Sequence, residues 1–112
     1  MVKAKRIYDP PAADDGTRIL VDRLWPRGLT KEDARIDEWL KEIAPSNELR
    51  NWFGHDPVKW PEFRRKYQEE LRRQGPLLEE LKRKAKHGTV TLLFAAKDAE
   101  HNNAVVLKEL LD

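Results

Sequence analysis

The chain has no cysteine, which excludes disulfides, thiolate metal sites and a cysteine nucleophile, and suits a reducing compartment. It has no apolar run near the roughly 20 residues that a membrane-spanning helix needs. Met1-Val2-Lys3-Ala4-Lys5-Arg6 also lacks the apolar stretch of a secretory signal, so a cytoplasmic location is expected. No histidine spacing such as HxxxH or HExxH occurs, so no metal site is expected, and the residues identify no cofactor. An excess of one charge sign is missing too. Although 38% of residues are charged, 22 Lys and Arg stand against 20 Asp and Glu, so the net charge is only +2 and a disordered, self-repelling tail is excluded.

What is present is enough for one core. A chain of 112 residues with 39% hydrophobic content is the size of one domain, 1–112, and is too short for two. Arg18-Ile19-Leu20-Val21-Asp22-Arg23-Leu24 and Thr89-Val90-Thr91-Leu92-Leu93-Phe94-Ala95 are apolar on both alternating faces, as strands covered on both sides by helices must be. Val2 to Tyr8 is a weaker strand. The turn-rich loop Asp9 to Gly16 that follows is short for a parallel crossover, which leaves the pairing of this first strand open.

Thr30 with Asp33 predicts a capped short helix from Lys31. Ile36, Trp39, Leu40 and Ile43 fit helical spacing, but a short strand at Ile36 to Leu40 would complete a βαβ unit and is the reading adopted. Ser46 is an N-cap for a helix ended by Gly54. A longer helix is expected from Pro61, burying Trp60, Phe63, Tyr67 and Leu71 and broken at Gly75-Pro76. Another is expected over Leu77 to Lys86, burying Leu78, Leu81 and Ala85, and a last one from about Asn102 to Leu111, offering Val106, Leu107, Leu110 and Leu111 to the core. The fold class is therefore α/β, a small Rossmann-like and mostly parallel sheet with flanking helices.

Function is expected where such sheets place ligands, at the carboxyl ends of the strands. Asp22-Arg23-Leu24-Trp25-Pro26-Arg27-Gly28 follows the first buried strand, and Arg23 and Arg27 there would make an anion site with paired donors. Lys97, after the second buried strand, would add a third positive charge. Trp25 would offer a stacking face, and Tyr8, Ser46 and Asn103 hydrogen bonds. The competing view is structural: Arg23 pairs with Asp22 or another buried acid, and Trp25 closes the core. Asn102 is read as an N-cap, and His101 as a solvent-facing residue. His55 and His87, at helix ends beside glycines, are assigned no chemistry.

From Lys59 to Lys86 there are ten Lys or Arg against five Glu. A nucleic acid is one partner for such a face. Interleaved helical ion pairs are the preferred account, because no recognition helix with a flanking turn is evident.

Lys5 to Asp9, Ile19 to Gly28, Ala44-Pro45-Ser46 with Glu48-Leu49-Arg50, and Leu92 to Lys97 with Asn102-Asn103-Ala104 together resemble the YeaO-like family across essentially the whole chain. The resemblance implies a Rossmann-like order within a wider superfamily of domains of unknown function. It is also the reason for reading Ile36 to Leu40 as a strand. Longer members of that superfamily carry a Cys-His-Arg triplet where this chain has Asn102-Asn103-Ala104, and a cysteine where it has Phe94. Their thiol or metal chemistry therefore does not transfer. Val21, Asp22, Arg23 and Lys97 do match.

Three functions follow as expectations. The leading one is binding of an anionic small molecule, a nucleotide or phosphorylated metabolite, by Tyr8, Asp22, Arg23, Trp25, Arg27, Ser46, Lys97 and Asn103. Were a reaction catalysed there, Asp22 or Asp98 would be its base. The second is a nucleic-acid-binding or regulatory module on the basic 59–86 face, and the third an interaction protein, which requires exposed Trp or Phe outside the crevice.

Overall fold

A computed structural model describes residues 1–112. Four parallel strands, β1 (Val2–Arg6), β2 (Thr17–Leu20), β3 (Glu38–Trp39) and β4 (Val90–Phe94), form one sheet in the order β1-β4-β2-β3. Five helices accompany it: α1 (Lys31–Ala34), α2 (Asn47–Phe53), α3 (Trp60–Arg72), α4 (Gly75–His87) and α5 (Asn103–Leu111). This is the small Rossmann-like α/β architecture expected from the two doubly apolar strands. No helix is long and apolar enough to cross a membrane.

The alternation in β2 and β4 sorts their side chains to two faces. Ile19, Val21, Val90, Leu92 and Phe94 join the main core with Leu49 and Phe53 of α2, Phe63, Tyr67 and Leu71 of α3, Leu81 of α4, and Ala104, Val106 and Leu107 of α5. Leu20 and Leu93 face the other way, into a smaller core with Ile7 and Ala34, flanked by Trp25, Leu29, Ile36 and Trp39. Each fully buried leucine contributes about 1.5–3 kcal/mol of transfer free energy, so Leu20 and Leu93, paired across β2 and β4, anchor the smaller layer and Leu92 the main one.

The open question about β1 is resolved by its partner. β1 runs parallel to β4 in the register Val2↔Val90 to Arg6↔Phe94, and β4 also pairs with β2. Residues 7–16 therefore need only return the chain to the starting end of the sheet, with a space left for β4. A single turn of 3-10 helix, Ala13–Asp15, suffices. Asp15 is buried beneath this return, where Arg18 Nη1 donates to it at 2.5 Å and Lys5 at 3.2 Å, while Arg18 Nε and Nη2 donate to the carbonyls of Arg35 and Ala34.

The caps form as expected. Thr30, Ser46 and Asn102 accept from the backbone N–H groups of Asp33, Leu49 and Val105, and Gly54 ends α2 in the left-handed region. Other expectations need correcting. β3 spans two residues rather than Ile36 to Leu40, since only Glu38 and Trp39 reach the register of Ile19 and Leu20, while Ile36 turns into the smaller core. Gly75 and Pro76 open α4 rather than separate two helices, because proline's missing N–H is harmless in a first turn. Trp60, Leu78 and Ala85 are half-buried, and Leu110 points to solvent at 37% exposure.

Candidate functional site

The ladder between β2 and β4 continues one bond past β2, where Val21 N–H donates to Leu93 at 3.1 Å, and there the two chains part. Asp22 fills the fork. One carboxylate oxygen accepts the Ala95 N–H at 2.8 Å and the other the side-chain amide of Asn103 at 3.1 Å, while that amide also reaches the Val21 carbonyl at 2.9 Å. Burial pushes the Asp22 carboxyl above its ordinary range; the Ala95 N–H, the Asn103 amide and the nearby charges of His55 and Arg50 oppose that rise.

Beyond this fork opens a cleft of about 720 Å³, within the size range of small-molecule sites. Phe53 and Phe63 line its apolar part; Arg23, Arg27, Arg50 and Lys97 bring positive charge; Asp22 and Asp98 bring the only carboxylates. Arg23 is held by the carbonyls of Pro45 and Ala44, each at 3.2 Å, and forms no pair with Asp22 or any other acid. The structural alternative in which a buried acid neutralises it is thereby overturned. Tyr8 donates to the Arg27 carbonyl at 2.7 Å and carries the Arg6 guanidinium over its ring at 4.7 Å, tying the loop after β1 to the loop after β2.

Two expected site residues lie elsewhere. Trp25 does not line the cleft: its indole N–H donates to the Leu29 carbonyl at 2.7 Å and its ring meets Trp39 edge-on in the smaller core. The structural reading of that tryptophan is the one the fold adopts. Ser46 is consumed as a cap, accepting from Leu49 and donating to Glu70 at 2.6 Å, so it leaves Ala44 and Pro45 to face the cleft. Tyr8, Asp22, Arg23, Arg27, Lys97 and Asn103 are brought together.

Three lining residues were missed or misplaced. Arg50 and His55 come from the last turn of α2 and the bend after it, with His55 in left-handed backbone at φ 57°. Nothing local signals that this helix end docks against the sheet end. His101 is not simply solvent-facing. Its Nδ1 lies 2.8 Å from Asp98, its ring stands edge-on to Trp60 at 5.2 Å, and it lines the cleft. The sequence signal was the three-residue spacing from Asp98, which fits an Asx-type turn. Asp98 also accepts the N–H groups of Glu100 and His101; the Glu100 N–H, then His101, hold its carboxyl below the ordinary range.

No cluster of three or more His, Asp or Glu side chains is placed to hold a metal ion. On the basic face from Lys59 to Lys86, Arg64, Arg65, Lys82, Arg83 and Lys84 each pair with a glutamate, and Lys59 and Lys66 lie over the Trp52 ring.

A family model described as the inactive DUF488-N3 subclade matches residues 1–112, the entire described chain. The chain belongs to this subclade. Among similar proteins, the uncharacterised YeaO of Escherichia coli K12 is 46% identical over 110 residues, covering 98% of this chain and 96% of its own. An uncharacterised protein of Mycobacterium tuberculosis H37Rv is 41% identical over 111 residues, 99% of this chain and 93% of that one. No solved structure matches. The YeaO-like resemblance in the sequence is thus a family membership.

Proposed function

We propose that this protein binds an anionic small molecule, a nucleotide or phosphorylated metabolite, in the cleft at the strand ends. The observation that carries this reading is uncompensated charge. Arg23, Arg27, Arg50 and Lys97 converge on one partly apolar cleft, and none of them has a carboxylate within 4.0 Å. A ligand carboxylate or phosphate would satisfy their donors, and the apolar wall would strengthen each such bond by excluding water. The subclade's description as inactive accords with binding rather than turnover, and a cytoplasmic location fits such a ligand.

Nucleic-acid binding by the 59–86 face is the second reading, weakened by the glutamates that already neutralise half of its ten cations. Titration calorimetry with inorganic phosphate, nucleotides, sugar phosphates and short DNA or RNA separates the two. Arg27→Ala and Lys97→Ala are the informative variants, since both side chains are exposed and neither donates a hydrogen bond within the protein. A small-molecule affinity that falls about tenfold or more in either variant supports the cleft. A polymer affinity that drops steeply with salt and ignores both variants transfers function to the helices.

A further inference from the structure

The reading above rests on the cleft's cations, but the cleft also holds a group aimed at something other than an anion. Asp98 is ionised, with its carboxyl held below the ordinary range by the Glu100 N–H and by His101, so the 2.8 Å contact to His101 Nδ1 places the imidazole proton on Nδ1. Nε2 then carries the lone pair. It has no partner within the protein, and the ring, fixed by Asp98 on one side and the edge-on Trp60 on the other, lines the same cleft as Arg23 and Lys97. With the proton on Nδ1, Nε2 is free to accept a hydrogen bond.

From this geometry we infer that the ligand is a phosphorylated sugar or polyol, the ribose phosphate of a nucleotide included, with Arg23, Arg27, Arg50 and Lys97 taking the phosphate and His101 Nε2 accepting from a ligand hydroxyl. The inference depends on the anion-binding reading. Asp98 is the positioning residue: it fixes which ring nitrogen faces the ligand. Asp22 reinforces the demand for hydroxyl donors, because its oxygens retain acceptor capacity beside the bonds to Ala95 and Asn103. Inorganic phosphate engages the cations but lacks the sugar hydroxyls that would donate to these acceptors.

The test compares inorganic phosphate with ribose 5-phosphate by calorimetry on the full chain. Ribose 5-phosphate is expected to bind wild type about fivefold more tightly, the worth of one neutral hydrogen bond. His101→Phe, which keeps a ring against Trp60, should erase that margin and leave phosphate binding unchanged. Asp98→Asn should also erase it, since an amide N–H facing Nδ1 moves the proton to Nε2.

Loss of both affinities together in His101→Phe would show that His101 acts as a cation and overturn the sugar-phosphate assignment while leaving anion binding intact. An unchanged ratio in both variants would also overturn it. Failure of both probes to bind wild type would sink the anion-binding reading itself.

Discussion

The carboxylate of Asp22 accepts the backbone N–H of Ala95 at 2.8 Å, so the two strand ends that diverge to form the cleft are tied together at its base. The same carboxylate is raised above its ordinary range by burial, against the pull of Ala95, Asn103, His55 and Arg50. A raised carboxyl contributes stability that is present below the unfolded value and lost as pH rises through the folded one. Asp22→Asn removes that titration. The stability of the variant relative to wild type should therefore climb as pH rises from the unfolded carboxyl value through the folded one and then level off, as measured by urea denaturation at each pH.

Asp15 behaves in the opposite sense. Burial works to raise its carboxyl, but the Ala12 N–H, Lys5 and Arg18 together hold it below the ordinary range. Its contribution is present above the unfolded value and disappears as pH falls through the folded one. Asp15→Ala should cost about 3–5 kcal/mol at pH 7, because Arg18 is left buried and unpaired. The double variant Asp15→Leu with Arg18→Met should recover part of that loss, and denaturant midpoints would decide it.

Gly16 and Gly28 both have positive φ, 65° and 81°, yet they should respond differently to alanine. A Cβ at Gly16 would lie 2.1 Å from the Thr89 carbonyl oxygen, whereas one at Gly28 meets nothing within 4 Å. Gly28→Ala should cost about 1 kcal/mol from backbone strain alone. Gly16→Ala should cost about 3 kcal/mol or more, since backbone must shift where β2 begins beside β4. Thermal melting of the two variants gives the comparison.

Ser46 and Glu70 form a coupled pair, with the Ser46 N–H and Oγ both donating to the carboxylate at 2.8 and 2.6 Å. Ser46→Ala should cost about 1–2 kcal/mol through loss of the α2 cap and of this bond. Combined with Glu70→Gln the losses should fall short of additive by about 0.5 kcal/mol or more. An additive double-mutant cycle would show that the cap alone matters.

What could be read from the residues was set by local patterning. Ile19-Leu20-Val21 and Val90 to Phe94 announce strands buried on both sides, and Thr30, Ser46 and Asn102 announce caps, because those signals act within a few residues. Six of the eight expected site residues share the cleft because strand ends converge by rule. Trp25 and Ser46 escaped because their partners, Trp39 and Glu70, are chosen by tertiary packing. Arg50 and His55 were passed over for the same reason: the end of α2 reaches the sheet only in three dimensions.

The position of β4 between β1 and β2 has a temporal consequence. Val2 finds its partner Val90 only after nearly the whole chain is available, and β1 has no other strand beside it. During synthesis β2 and β3 can meet early, while β1 waits with its apolar face uncovered until residues 90–94 emerge. Both the sheet and the fork at Asp22 are closed by the same late strand. Nascent chains halted before residue 90 should therefore lack the cleft, and the ability to bind should appear in one step with the completed fold.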